Sequence, residues 1–138
     1  ARSKTKKKLK EMFDKGDIDE RYYYKQNAYM YKTLKKEIVS KNTVYQWRRV
    51  YVRENKSGEC PTLTANMGTG GHNVPLIKDN LGIRKLTPRE CLNFQGFPKN
   101  FNFPHDMPIS QKYKQAGNAV TVNLIKKIAI ILKRILNK

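Results

Sequence analysis

The chain has 138 residues and a formal charge of +18, from 29 basic and 11 acidic side chains. That length holds one modest hydrophobic core, and that surplus repels itself unless a partner answers it. Cys60 and Cys91, with no CxxC spacing and no Cys/His cluster beside them, argue against a structural zinc site and for a reducing intracellular setting; no signal peptide is expected, and the longest apolar run, Ile128–Leu132, is far too short to span a bilayer.

DNA is the first candidate partner on charge, with an acidic protein or a membrane surface behind it. Only eight of the basic residues are arginine, and Asn and Ile are plentiful, so AT-rich coding would make part of the basicity compositional. The chain begins with Ala1 and not Met, which a missing upstream part or processing would explain.

In chain order, Ala1–Lys10 is a basic lead, read as a fraying arm or a nucleic-acid contact. Leu9, Met12 and Phe13 follow i, i+3, i+4 spacing, enough for a short helix. Asp14–Asp19 is a turn about Gly16. The Tyr and Leu spacing that follows predicts one amphipathic helix from about Lys25 to Glu37. Its neighbourhood carries five tyrosines between Tyr22 and Tyr31. Either they pack with hydroxyls outward or they stack on bases.

Thr43–Val52 alternates as one strand, an edge strand or hairpin arm. Val44, Gln46, Arg48, Val50 and Val52 would lie on one side, and Tyr45, Trp47, Arg49, Tyr51 and Arg53 on the other. Arg48, Arg49, Arg53 and Lys56, interleaved with Trp47 and Tyr51, predict a compact basic patch that grips phosphates or guanine edges. A solvated strand face is the alternative. Asn55–Gly58 is a turn, and Pro61–Ala65 looks strand-like. Gly68, Gly70 and Gly71 would let backbone approach a groove or phosphate closely. No GK[ST] follows, so this is not a P-loop. His72 has no partner in the sequence for metal or base chemistry. Val74–Ile77 is a short strand and Asp79–Gly82 a turn.

The stretch Arg84–Pro98, RKLTPRECLNFQGFP, carries the strongest local signal. Thr87 caps a helix with Pro88 at its first position, and Glu90 completes a capping box. Leu86 and Cys91 are placed for a weak hydrophobic staple. Gly96 ends the helix and Pro98 prevents its resumption. An irregular aromatic loop, KNFNFPHDMP, follows. Then come QAGNAV at 115–120 and a final helix from Val120, whose Val122, Ile125, Ile128, Ala129 and Leu132 follow helical spacing. So apolar a helix needs a large partner surface.

RKLTPRECLNFQGFP resembles motif IX of the DNA cytosine-5 methyltransferases, and QAGNAVTVNLI resembles their motif X, in the family's order and at a family-like separation. PTLTANMGTGGHNVP looks like the target-recognition region of such enzymes. The resemblance covers roughly the whole chain but only the C-terminal part of such an enzyme. It implies an α+β fold: a small target-recognition domain with short strands, a short capped helix, and a C-terminal helix docking on a Rossmann-like S-adenosylmethionine-dependent catalytic domain. The implied organisation is a basic helical connector over 1–40, a DNA-binding region with motif IX over 41–110, and motif X with the closing helix over 111–138. The QWRR string at 46–49 imitates motif VIII of the family but falls after the connector, too late in the chain.

The resemblance adds Thr62, Thr64, Thr69, Gly70 and Gly71 to Arg48, Arg49, Arg53 and Lys56 as expected DNA contacts. It implies that Asn118, Ala119 and Val120 help close an S-adenosylmethionine pocket; by itself Asn118 at a helix entrance could be an N-cap. The family's Pro-Cys nucleophile, Glu-Asn-Val motif and N-terminal glycine motif do not occur here. Cys60-Pro61 is in reverse order, and Cys91 is implied to be structural. No catalytic residue and no metal are therefore expected. The expected partners are double-stranded DNA and an N-terminal catalytic chain or domain. The expected setting is a bacterial cytoplasm at the nucleoid, within a restriction–modification system. A standalone DNA-binding module and a remnant of a disrupted methyltransferase gene are the alternatives. The target sequence is not legible.

Overall fold

The computed structural model describes residues 9–69 and 73–137. The first eight residues of the basic lead, and Gly70, Gly71 and His72, lie outside the described residues. Four strands, β1 (Val44–Arg48), β2 (Tyr51–Asn55), β3 (Leu76–Lys78) and β4 (Ile83–Lys85), form one antiparallel sheet in the order β2-β1-β3-β4. With them stand four helices, α1 (Tyr31–Glu37), α2 (Pro88–Phe94), α3 (Ile109–Asn118) and α4 (Val122–Leu136). The architecture is α+β, as expected.

Side chains alternate across β1 and so feed two cores. Val44 joins Leu63, Met67, Leu86, Leu92 and Tyr113 in one, on the side of α2 and α3. Tyr45 and Trp47 join Met30, Leu34 and Ile38 in the other, under α1. Met30, Leu34 and Ile38 recur every fourth residue, which is why α1 is amphipathic there.

That stripe also explains why α1 is shorter than the helix expected from Lys25. Upstream, the Tyr24 amide donates to the Ile83 carbonyl at 2.9 Å, and Tyr23 bridges Arg84, so the chain runs extended along β4. Residues 25–31 then turn through i→i+3 bonds, Ala28 to Lys25 and Tyr31 to Ala28. Tyr29, the residue before the stripe, is 78% exposed. Tyr22 and Tyr24 pack against the cores, as the packing alternative for the tyrosines had it.

The single strand expected over Thr43–Val52 is in fact a hairpin. Arg49 has φ 61, and the Val50 amide donates to the Arg48 carbonyl at 2.7 Å. This is a three-residue γ-turn of the rarer hand. Its register pairs Gln46 with Arg53 and Arg48 with Tyr51. Arg48 and Arg53 therefore share a face, where unbroken alternation put them on opposite faces.

Helix α2 forms as its sequence dictates. The Thr87 hydroxyl accepts from the Glu90 amide at 3.1 Å, and Glu90 Oε2 accepts from the Thr87 amide at 2.7 Å. Glu90 does more than close the box. Arg84 Nη1 and Nη2 donate to its two carboxylate oxygens, each at 2.8 Å, with Arg84 2% exposed and Glu90 fully buried. The Asp14 amide donates to Glu90 Oε1, and Arg84 Nε donates to Asp79. Burial pushes the Asp79 carboxyl up, but the Tyr23 hydroxyl, the Arg84 guanidinium and the Leu81 and Gly82 amides together hold it below its ordinary value. One buried cluster thus fastens the N-terminal segment, the β3–β4 turn and α2.

The strand expected over Pro61–Ala65 does not form. Residues 60–64 are irregular and lead into a 3₁₀ turn, Ala65–Thr69, seated on α3. Gly117 lies inside α3, and a Cβ there would stand 2.1 Å from the Thr64 carbonyl oxygen and 2.6 Å from the Ala65 nitrogen. Its missing side chain makes room for a crossing backbone. Gly117→Ala should therefore destabilise by about 1–3 kcal/mol through overpacking, although glycine-to-alanine in an open helix gains about 1 kcal/mol. Gly16→Ala, with nothing within 4 Å, should stay within about 0.5 kcal/mol of wild type. Urea unfolding of both variants checks the difference, and a stabilised Gly117→Ala would contradict the close approach.

Candidate functional site

Face sharing in the hairpin builds a polar cleft of ≈330 Å³. Gln46, Arg48, Arg53 and Asn55 line it from the sheet, and Thr62, Thr64 and Asn73 from the chain beyond. Of the expected DNA contacts it brings together Arg48, Arg53, Thr62 and Thr64. Leu63 between the threonines is buried and anchors them to the core. Arg49 stands at the hairpin tip and lines a neighbouring cleft. Lys56 sits past the far end of β2, about 17 Å along the strand from Arg49. The compact patch is thus a cleft with outliers at both ends. Thr69 closes the 3₁₀ turn, and Gly70 and Gly71 are outside the described residues.

The guanidiniums of Arg21, Arg84 and Arg89 are each engaged by a carboxylate, an amide oxygen or a carbonyl. Those of Arg48, Arg49 and Arg53 are exposed and meet no hydrogen-bond or ion-pair partner among the described residues. A cleft edged by unengaged guanidiniums, with hydroxyls and side-chain amides beside them, suits anionic oxygens and base edges. Gln46, Asn55 and Asn73 were not singled out from sequence. Alternation from Arg48 was enough to find Gln46; Asn73 arrives from the other side of the glycine loop and leaves no local signal.

The second group, Asn118, Ala119 and Val120, lies at the α3–α4 corner. Asn118 is the last residue of α3, exposed, and does not cap α4; Thr121 holds that position without a side-chain cap bond. The corner is held by Gln95, which follows α2. Its Nε2 donates to the Ala116 carbonyl at 3.2 Å and the Ala119 carbonyl at 3.1 Å. Its Oε1 accepts from the Thr121 hydroxyl at 2.8 Å, and its backbone carbonyl accepts from the Val122 amide at 2.8 Å. Gln95 was not singled out from sequence. Ala119 and Val120 line a cleft of ≈470 Å³ beside Cys60, Leu63 and Phe94.

Neither cysteine is poised as a nucleophile. Burial pushes the Cys60 thiol up to about 12, and burial, with Cys60 and Glu90 nearby, holds Cys91 well above its ordinary value, so neither supplies a thiolate at neutral pH. Among the described residues no cluster of three or more His, Cys, Asp or Glu is placed to hold a metal ion, and no helix is long and apolar enough to cross a membrane. Along α4, Leu124, Ile125, Ile128, Ile131, Leu132 and Ile135 all remain exposed.

The family model for C-5 cytosine-specific DNA methylases matches residues 1–134. Type II methyltransferase M.Bsp6I of Bacillus sp. (strain RFL6) is 57% identical over 123 residues, 88% of this chain and 39% of the relative. The tRNA (cytosine(38)-C(5))-methyltransferase of Mus musculus is 38% identical over 52 residues, 38% of this chain and 12% of that protein. Among solved structures, the S. pombe Dnmt2 methyltransferase superposes with a TM-score of 0.67 at 14% identity, covering 99% of this chain and 45% of its own. This chain therefore spans well under half the length of the relatives it matches.

Gln95→Ala leaves the Ala116 and Ala119 carbonyls without their donor and should cost about 1–3 kcal/mol. Amide exchange at residues 119–122 should quicken more than exchange within β1. Equal acceleration at both places would show that Gln95 does not specifically hold the corner.

Proposed function

The chain belongs to the family of C-5 cytosine-specific DNA methylases, and on that premise we propose that it is the DNA-recognition and closing part of such an enzyme. Residues 1–40 act as connector, 41–110 as the recognition region, and 111–138 as the segment that closes on a catalytic partner. The observation that carries the reading is the cleft where Arg48, Arg53, Thr62 and Thr64 converge with their guanidiniums unengaged. Arginine forks match phosphate and guanine geometry, and the charge of +18 draws the duplex in from a distance. Lys56, beyond the end of β2, adds a further positive charge for the DNA backbone, and Thr69, Gly70 and Gly71 are kept as proposed contacts from the sequence alone.

The chemistry of the family is methyl transfer to C5 of cytosine, with the methyl group supplied by S-adenosylmethionine. This chain has no Pro-Cys dipeptide, and burial keeps both its thiols protonated. Nucleophile and most of the cofactor site are assigned to a separate catalytic chain or domain carrying the glycine, Pro-Cys and Glu-Asn-Val motifs. Here the α3–α4 corner fits a supporting role. Asn118 presents an exposed amide, Val120 is 55% exposed, and Gln95 fixes the backbone between them. Asn118, Ala119 and Val120 would hold one edge of the cofactor, while the apolar side of α4 seats on the partner and brings the recognition cleft over the target cytosine. The likeness to a Type II methyltransferase supports a restriction–modification setting in a bacterial cytoplasm, at the nucleoid. A non-catalytic DNA-binding module, or a remnant of a disrupted gene, would keep the cleft and use the corner for nothing.

The test is salt-dependent binding of mixed-sequence duplex DNA. Replacing Arg48 and Arg53 together by Ala should make the slope of log K against log salt shallower by about 1.8, since each phosphate contact contributes about 0.9. Weaker binding with that smaller slope supports the cleft. An unchanged slope and affinity would remove it as the contact surface.

A further inference from the structure

Two local departures from relaxed structure meet at the tip of the β1–β2 hairpin. The first is Arg49, at φ 61 in the γ-turn closed by the bond from the Val50 amide to the Arg48 carbonyl. Glycine would occupy that conformation without strain, and asparagine or aspartate would tolerate it. Arginine has neither advantage, and its guanidinium meets no partner among the described residues. The second is Trp47, buried beneath the tip, whose indole N–H has no acceptor among the described residues. Both residues line one cleft of ≈720 Å³, with Tyr29, Arg48, Tyr51 and Asn73. Strain and an orphaned donor tend to gather where a ligand is received.

The shape of the element narrows the ligand. β2 is the edge strand, so β1–β2 is a two-stranded ribbon free on one side. Its tip is exposed, with Val50 at 80% and Tyr51 at 56%. A two-stranded ribbon fits the major groove of B-DNA, about 12 Å wide, where base edges are presented. Lysine would serve at a tip that only needs charge. A rigid fork on a fixed backbone suits a bidentate acceptor pair.

We propose that Arg49 is a specificity-determining residue that reads a guanine in the major groove, its guanidinium donating to O6 and N7, while Arg48 and Arg53 hold phosphates. This rests on the DNA-recognition reading above and assigns a distinct task to a residue outside the polar cleft. The strained turn aims the fork, and Tyr29, Trp47 and Tyr51 line the cleft beside the tip.

The experiment is selection from a random-sequence duplex pool by the 138-residue chain, comparing wild type with Arg49→Gln and Arg49→Gly. The wild type should enrich guanine at one position of its site. Arg49→Gln should lose that preference at least tenfold and shift it toward adenine, whose N6 and N7 suit an amide. Arg49→Gly should lose the preference while its urea midpoint stays level or rises, because the turn relaxes. In both variants the salt slope should fall by less than the ~0.9 of a lost phosphate contact. Guanine retained at every position in both variants overturns the proposal. So does a uniform loss of affinity with the slope reduced by a full phosphate, or a glycine variant that unfolds earlier than wild type. A wild type that binds in a salt-dependent way yet enriches no sequence contradicts the guanine contact and leaves the recognition reading standing. A wild type that does not bind DNA contradicts both.

Discussion

The ion pair between Arg84 and Glu90 is the interaction on which most of this structure depends. Both groups are withdrawn from water, which is costly for charges unless each is fully matched. Here both are extensively matched. Glu90 accepts two bonds from Arg84, one from the Thr87 amide and one from the Asp14 amide. Arg84 gives two of its three other donors to Asp79 and the Lys85 carbonyl. Removing either partner alone would strand a buried charge, at about 3–5 kcal/mol. The consequence is positional. With its first turn clamped to β4, α2 can point only one way, and its end delivers Gln95 to the α3–α4 corner. The corner's geometry is thus inherited from a salt bridge at the other end of a short helix.

The surface divides into two regions of opposite character. The edge hairpin and the 60–64 segment carry unengaged guanidiniums, amides and hydroxyls. Helix α4 carries branched apolar side chains that the other described residues leave uncovered. The first suits a polyanion and the second suits a protein surface, since apolar area on this scale seeks cover. The proposed place between DNA and a catalytic body would use both regions. Gln95, Gly117 and the 3₁₀ turn at Ala65–Thr69 lie between them, and the Thr62–Thr64 segment is packed from one side by α3. Polar cleft and α3–α4 corner therefore share a wall at Pro61 and Thr62, so a shift in one backbone is felt in the other.

Local features were legible in the sequence. The capping box of α2, its glycine stop, the Asp79–Gly82 turn and the uncovered stripe of α4 all follow from residues close in the chain, whose physics acts within one or two turns. The paired motifs carried the family. What escaped was decided by distant partners or by exceptions to local rules. The hairpin was hidden because its turn uses Arg49 and Val50, neither of which announces a reversal. The start of α1 was misplaced because Tyr24 pairs with Ile83, nearly sixty residues away. The role of Gly117 was hidden because its neighbour, the Thr64–Ala65 backbone, is invisible from its own surroundings. The roles of Arg84 and Gln95 needed the fold before they could be read at all. Of the expected DNA contacts, Arg48, Arg53, Thr62 and Thr64 line one cleft, although unbroken alternation had put Arg48 and Arg53 on opposite strand faces.

The central claim is that recognition and closing lie in this chain while the chemistry lies elsewhere. Transfer of labelled methyl groups from S-adenosylmethionine to mixed-sequence duplex DNA tests it most directly. The chain should be assayed alone and then mixed with the part of its 57% identical relative that it does not match. Background incorporation by the chain alone and by that part alone, with clear transfer by the mixture, is the predicted result. Robust transfer by the chain alone, or none by the mixture, would contradict it.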